Sequence, residues 1–494
     1  MQLVSKIMKK FKGGEDLESK TLRAAFWSLV GSGGNGIIRF ISNLILTRIL
    51  FPEAFGLMAT AMLFMTLVQV LSDTGVKIAL IQHPEGASTA FINTSFLITI
   101  IRNGLLFLLV IAGIDPISNY YGQPDLQPLL WVMSATFLLE GLINPALPIL
   151  IKSLRIEKQV SYNIGSQLAG FIFTLILAIA LRSAQALAWG YLITSLFRVI
   201  GSYLILPYRP QLIWDRYAGR ELLNFGKFIL LNTMITWAAL NLDRFVIGKT
   251  LGMEQLGLYN IALFLGVFLT DVMVQVFAQS YFPAVSSISQ DREKVTNIYR
   301  RTMQVITSLA IPATLLLSAF SNDIISLLYD PRYQVAGLAL FWISLRSAVQ
   351  IIVNVQGGTL LALGRPKLVT ISNAIGLLIL LLSLPSLSSE FGLMGAGIAI
   401  LVSSIATGLI QVSLFRSRLD FKISILLQPW VRLALNTGVI IGTHRLLDLL
   451  IPTHIGGNAL LLILTSIVSL ALVYLQIRRN LDQIMGSILK EQGA

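Results

Sequence analysis

Apolar stretches long enough to cross a bilayer recur along almost the whole chain, and this feature leaves little choice of fold. They lie at roughly 22–46, 54–72, 89–113, 126–151, 161–181, 185–206, 222–247, 256–282, 302–328, 336–363, 368–387, 391–415, 429–450 and 458–477. About 20 apolar residues make a helix that spans the hydrocarbon core. Of the 494 residues, 55% are hydrophobic and 12% charged, where soluble domains carry about 25% charged residues. Mean hydropathy is +0.76. A soluble core cannot absorb that much apolar side chain, because surface-to-volume scaling forces polar residues outward. A soluble enzyme, a disordered chain and a fibrous repeat are therefore excluded. The expected fold is an all-α integral membrane protein of about 14 transmembrane helices. The least regular span is 429–450, which contains Arg432, His444, Arg445 and Asp448.

The net charge of +13 has two readings, nucleic-acid binding or the positive-inside rule. The loops decide between them. With the N-terminus placed in the cytoplasm, inner segments hold 25 of the 37 Lys and Arg residues, outer loops hold 4 (Arg48, Arg182, Lys249, Arg332), and 8 lie within spans. That bias puts both termini in the cytoplasm and accounts for the charge without nucleic acid. Residues 1–20 are polar and contain no apolar run before a small-residue cleavage site. The first span is thus expected to act as its own targeting signal.

A short pattern occurs twice, offset by 201 residues: basic-x-Leu-x-x-Glu-x-apolar-Gly-Leu-x-x-x-Ala. The first copy runs from Arg48 through Glu53, Gly56 and Leu57 to Ala61. The second runs from Lys249 through Glu254, Gly257 and Leu258 to Ala262. Six spans separate the copies, so both halves have one orientation and form a parallel repeat. The expected organisation is a cytoplasmic tail (1–21), an N-lobe of helices 1–6 (22–206) and a cytoplasmic linker (207–221). A C-lobe of helices 7–12 (222–415), a cytoplasmic loop (416–428), helices 13 and 14 (429–477) and a cytoplasmic tail (478–494) follow.

Charges within spans cost several kcal/mol unless they face a cavity or a partner. This chain keeps Arg39, Arg102, Arg198, Arg244 and Arg346, with Glu140, Asp243 and Asp271. A cavity with surplus arginine suits an anion, above all a phosphate, because guanidinium donates bidentately to its oxygens. The five arginines are the candidate binding residues. The three carboxylates are candidates for coupling transport to protons or sodium. Asn35, Asn43, Asn144, Gln167, Asn232 and Asn241 add hydrogen-bonding capacity for hydroxyl-rich cargo. The alternative for Arg39, Arg102 and Arg346 is snorkelling to an interface, and for Arg244 a structural pairing with Asp243.

Other apparent motifs carry little. Gly31-Ser32-Gly33-Gly34-Asn35-Gly36 fits GxGxxG, but no strand precedes it and it lies in an apolar span, so close helix packing or a flexible cavity-lining helix is the better reading. There is no Walker A sequence. The Asn93-Thr94-Ser95 sequon lies in or beside a span. With no cysteine and only His83, His444 and His454, no metal site or cofactor is expected and acid–base catalysis has little to work with.

Four places together resemble the Wzx-type oligosaccharide flippases, the polysaccharide transport family of the multidrug/oligosaccharidyl-lipid/polysaccharide exporter superfamily, and within it the WzxC-like exporters. They are Phe26-Trp27-Ser28 with the run through Arg48-Ile49-Leu50 and Phe55-Gly56-Leu57; Leu154-Arg155-Ile156, where the family usually has an aromatic after the arginine; Asn241-Leu242-Asp243-Arg244-Phe245-Val246-Ile247-Gly248 leading into Leu256-Gly257-Leu258-Tyr259; and Leu363-Gly364-Arg365-Pro366-Lys367. The resemblance covers about residues 20–420. It implies two six-helix lobes plus two C-terminal helices, as in MATE transporters and MurJ. It also implies a bacterial inner-membrane exporter that moves a polyprenyl-diphosphate-linked oligosaccharide outward, beside the polymerase and export machinery. The rival readings are a lipid II-type flippase, a cation-coupled multidrug antiporter of the same superfamily, and an O-antigen-type glycosyltransferase or ligase. The antiporter would favour acidic cavities, and the ligase needs large outer loops.

Overall fold

The computed structural model describes residues 17–72, 75–268, 270–271, 274, 281–419 and 422–450. The span expected at 458–477, part of that at 256–282, the C-terminal tail and most of the N-terminal tail lie outside the described residues. Among the described residues all regular elements are helical. Nine helical segments among them are long and apolar enough to cross a membrane. The chain divides into two compact units, residues 1–245 and 246–494.

The first unit contains α1 (Leu17–Ile49), α2 (Pro52–Leu71), α3 (Val76–Gln82), α4 (Thr89–Tyr121), α5 (Leu126–Gly141), α6 (Leu147–Lys152), α7 (Ile156–Leu181) and α8 (Ala184–Ile205). Most of α9 (Arg216–Thr250) also belongs to it. Helices α7 and α8 pack most closely, α4 lies on α5, and α1 lies on α7. The glycine run of α1 serves that last contact: a Cβ at Gly31 would come within 2.7 Å of Val160, and one at Gly34 within 3.0 Å of Ile164. Ile101, Leu105, Leu108 and Leu109 on α4, and Ile172, Phe173, Ile176 and Ile179 on α7, are exposed. Such apolar rows mark a surface that meets lipid.

The second unit contains α10 (Gly252–Gly266), α11 (Phe282–Ser287), α12 (Arg292–Ser308), α13 (Ala310–Ala319), α14 (Ser321–Leu328), α15 (Ala336–Ala362), α16 (Pro366–Leu419) and α17 (Ile423–Leu450). Helix α15 is its centre, packed against α10, α13, α14 and α16. Gly392 breaks α16 with φ 59° and ψ −139°. The two spans expected at 368–387 and 391–415 are the two arms of this helix.

The sequence repeat corresponds to one local structure formed twice. In each copy a helix ends, one or two residues turn the chain, and a new helix starts with a glutamate in its first turn, Glu53 in α2 and Glu254 in α10. A carboxylate there offsets the positive helix end. Leu57 and Ala61 in one copy, and Leu258 and Ala262 in the other, are buried. A second local likeness was not expected from sequence. Helix α6 ends in Leu154 at φ 56°, and the Arg155 N–H closes on Leu150 O at 2.8 Å. Helix α15 ends in Gly364 at φ 70°, and the Arg365 N–H closes on Leu360 O at 2.9 Å. Both are six-to-one closures of a Schellman type. Leucine occupies the left-handed position in the first and glycine in the second, so the letters do not align.

The expected span 126–151 is interrupted between α5 and α6. Asn144 accepts the Ala146 N–H at 3.0 Å, and Pro145 and Pro148 remove donors that a continuous helix would need. Asn144 Nδ2 also donates to Leu206 O (2.7 Å) and Tyr208 O (3.2 Å). These bonds begin to secure the connection from α8 to α9. The Tyr208 hydroxyl and the Gln211 N–H both donate to Asn93 Oδ1, at 2.8 and 3.1 Å, and the Asp215 N–H donates to Thr94 Oγ1 at 3.0 Å. The sequon is thus a structural anchor: Asn93 is 7% exposed and Thr94 fully buried. Asn93→Ala is expected to leave both donors unmatched, at a cost of about 1–3 kcal/mol. Limited trypsin digestion of detergent-solubilised protein should then cut faster at Arg216. An unchanged cleavage rate and thermal midpoint would refute this anchoring role.

Candidate functional site

The first unit contains an open-sided cavity of about 830 Å3. Its wall is built from α2, α4, α5, α7, α8 and α9, with the α3 and α6 segments at one end. Three of the eight sequence-expected site residues line it: Arg102 from α4, Glu140 from α5 and Arg198 from α8. Both guanidinium groups lie within electrostatic reach of the Glu140 carboxylate. Lys77 adds a third cation, so basic groups outnumber the carboxylate three to one.

The two arginines are held differently. Arg102 donates from Nη2 to Gln69 O at 2.9 Å and from Nε to Ser72 Oγ at 3.0 Å. Ser72 caps the end of α2, where unpaired carbonyls accumulate and the helix dipole is negative. Arg102 therefore clamps α4 to the end of α2 while facing the cavity. Arg198, by contrast, makes no hydrogen bond or ion pair within 4 Å among the described residues, and neither does the Glu140 side chain. The donors of Arg198 remain open to a ligand.

The remaining lining is polar for a chamber inside an apolar protein: Thr66, Gln69, Ser95, Thr99, Asn103, Gln159, Tyr162 and Asn163, with Asn144 at the α5–α6 break. One indole, Trp237, joins them. Its Nε1–H donates to Thr66 Oγ1 at 3.1 Å. Lys77, Gln159 and Trp237 were not singled out from sequence. The first two sit beside loop charges, and a lone tryptophan in a span reads as packing.

The other expected site residues are not among the described residues that line the cavity. Arg39 is an exposed residue of α1. Arg244 donates from Nη1 to Asn241 Oδ1 at 3.2 Å, Asn241 donates to Trp237 O at 2.9 Å, and Asp243 Oδ1 accepts the Arg244 N–H at 2.8 Å. The Arg244 backbone rather than its guanidinium meets Asp243, and among the described residues Arg244 Nε is buried without a hydrogen-bond partner. Next to them Phe245 packs with Phe64, Tyr120 and Tyr121. Arg346 and Asp271 belong to the second unit, where Arg346 Nε donates to Ser404 Oγ at 3.2 Å, joining α15 to α16. Asp271 is exposed there. Of the six amides, Asn144 lines the cavity, and the Asn232 side chain lies outside the described residues.

Residues 45–337 match the family described as polysaccharide biosynthesis protein. The chain belongs to this family. Among sequence relatives, an uncharacterized membrane protein in the cps region of Klebsiella pneumoniae is 23% identical over 399 residues, 80% of this chain and 82% of the relative. The lipopolysaccharide biosynthesis protein WzxC of Escherichia coli K12 is 26% identical over 322 residues, 64% of this chain and 65% of the relative. Among solved structures, the lipid II flippase MurJ in an inward closed conformation superposes with a TM-score of 0.72 at 14% identity, covering 93% of this chain and all of that one. That likeness shows the fold, a helical one, in agreement with the architecture read from the apolar spans.

Proposed function

We propose that this family member is a flippase that carries a polyprenyl-diphosphate-linked oligosaccharide from the cytoplasmic to the outer leaflet of a bacterial inner membrane, where polymerase and export machinery take it up. The observation that carries this reading is the cavity in which Arg102, Arg198 and Lys77 surround one carboxylate among hydroxyls and amides. A diphosphate needs concentrated cationic donors, and sugars need a polar wall. The family's role in polysaccharide biosynthesis supports the same cargo. In the orientation given by the Lys and Arg bias, the α3 and α6 ends of the cavity lie on the cytoplasmic side, where the lipid-linked unit is assembled. Arg198 captures the diphosphate, Arg102 adds charge while fixing the wall, and alternating access moves the bound group outward with its lipid tail left in the bilayer. Glu140 is the carboxylate placed to change charge in this chamber and so to couple the cycle to an ion. Arg39, Arg244, Arg346, Asp243 and Asp271 are not among the described residues that line this chamber.

Deleting the gene tests the proposal. The expected result is loss of surface polysaccharide together with accumulation of a lipid-diphosphate-linked repeat unit reachable only from the cytoplasmic face. Normal polymer with reduced drug or dye tolerance would overturn it in favour of an antiporter.

A further inference from the structure

We infer that Trp237 is a carbohydrate-stacking platform that reads the first sugar of the cargo, separately from the arginines that read its diphosphate. This rests on the flippase reading and adds a second recognition element within the same cavity. The argument starts from what the indole has left to offer. Its one polar group is used, because Nε1–H donates to Thr66 Oγ1 at 3.1 Å. That bond fixes the ring against α2 and removes it as a donor. Among the described residues no other ring or cation packs on it. What Trp237 presents to the cavity is therefore apolar aromatic surface, held in one orientation.

Such a surface is out of keeping with its neighbours. Gln69, Thr99, Asn103, Tyr162 and Asn163 line the same chamber and suit hydroxyl groups. An aromatic ring among amides and hydroxyls matches the two-sided chemistry of a pyranose. The sugar's axial C–H groups form an apolar face that lies on an aromatic ring, and its equatorial hydroxyls point sideways to donors and acceptors. A bare phosphate or inorganic anion has no use for the indole. Backbone geometry adds to the order of the site. Asn241, one turn further along α9, donates to Trp237 O at 2.9 Å and accepts from Arg244. The indole thus sits on a stretch of helix tied down by its own side chains.

The experiment separates this proposal from the reading it rests on. Full-length protein in nanodiscs is titrated with two soluble probes, farnesyl diphosphate and the same lipid diphosphate carrying one N-acetylglucosamine. The wild type should bind the sugar-bearing probe more tightly. Trp237→Ala should weaken that probe about five- to tenfold, the size of an aromatic contact beyond simple burial, and leave farnesyl diphosphate unchanged. Trp237→Phe should restore most of the difference, since a ring remains although the bond to Thr66 does not. Arg198→Ala should weaken both probes. The stacking role is overturned if the wild type shows no preference for the sugar-bearing probe, or if Trp237→Ala weakens both probes equally. The flippase reading itself fails in a different way, with neither probe binding the wild type and Arg198→Ala changing nothing. Circular dichroism and thermal midpoint of each variant show whether it is folded.

Discussion

Replacing Arg198 with alanine is expected to cut transport roughly ten- to a hundredfold while the protein stays in the membrane at its normal level, the size expected for losing charge-assisted hydrogen bonds to an anion. Two observations lead to this number. Arg198 lines the cavity, and among the described residues its guanidinium has no hydrogen-bonding partner in the protein. Its removal therefore costs the fold little, and the loss falls on the ligand. Lysine at the same position keeps the charge but not the planar fork, so Arg198→Lys should recover part of the activity. The measurement is surface polymer in a complemented deletion strain, read beside immunoblots of the membrane fraction. Wild-type polymer from Arg198→Ala would remove the cationic cavity as the basis of cargo capture.

Glu140 offers a rival explanation and the means to exclude it. The carboxylate lies within electrostatic reach of Arg198 and Arg102, so alanine at 198 also removes a compensating charge from a half-buried carboxylate on the cavity wall. If that were the whole effect, Glu140→Gln in the Arg198→Ala background would restore binding of a lipid diphosphate to the protein in nanodiscs, a readout that does not need the coupling step. If Arg198 holds the diphosphate, the double variant still binds it weakly. Arg102→Ala should behave differently from Arg198→Ala. It releases Gln69 O and Ser72 Oγ at the end of α2, so the amount of folded protein falls along with activity.

The membrane class, the helical fold and the repeated helix–turn–helix were legible because each depends on composition or local spacing. Apolar length marks a span whatever its neighbours are, and the Glu-x-apolar-Gly-Leu pattern marks one turn wherever it occurs. The site was legible only in part. Arg102, Glu140 and Arg198 stood out because a charge in an apolar span is costly, but Arg39, Arg244 and Arg346 raised the same signal. What separates them is the partner each one meets, and partners come from tertiary structure. Arg244 Nη1 reaches Asn241, three residues away, while among the described residues its Nε is buried without a hydrogen-bond partner, and Arg346 Nε reaches Ser404, 58 residues away. Asn93 shows the same limit from the other side. It reads as a sequon, yet its oxygen receives donors from Tyr208 and Gln211, more than a hundred residues along the chain. Trp237 gave no signal at all, since a tryptophan is expected in an apolar helix and only its bond to Thr66 and its place on the cavity wall distinguish it.

Valine at Gly170 or Gly190 is expected to prevent α7 and α8 from pairing and to deplete the folded protein. The two helices meet through a reciprocal contact. A Cβ added at Gly170 would fall onto the Thr194 hydroxyl and 2.7 Å from its Cβ, and one added at Gly190 onto the Thr174 hydroxyl and again 2.7 Å from its Cβ. Each threonine also bonds back within its own helix, Thr174 Oγ1–H to Gly170 O at 2.8 Å and Thr194 Oγ1–H to Gly190 O at 2.7 Å. The hydroxyls are therefore fixed and cannot swing away, and β-branched threonine has few other rotamers in a helix. Both helices carry the same small-xxx-small spacing, Gly170 with Thr174 and Gly190 with Thr194, which lets transmembrane backbones approach closely. Overpacking such a contact costs about 1–3 kcal/mol for each added group. The two sites share one seam, so the double variant should not be additive. Exchanging the small residue tests the geometry directly: Gly170→Ala combined with Thr194→Gly reopens the gap and should recover protein that Gly170→Ala alone loses. Thermal midpoints in detergent and membrane protein levels provide the reading, and single alanine variants as stable as wild type would refute the close approach. The consequence reaches the site, because Arg198 lies one turn beyond Thr194 on α8. A helix pushed off α7 takes that guanidinium out of register with Glu140, so any Gly170 or Gly190 variant that still folds should lose transport more steeply than it loses stability.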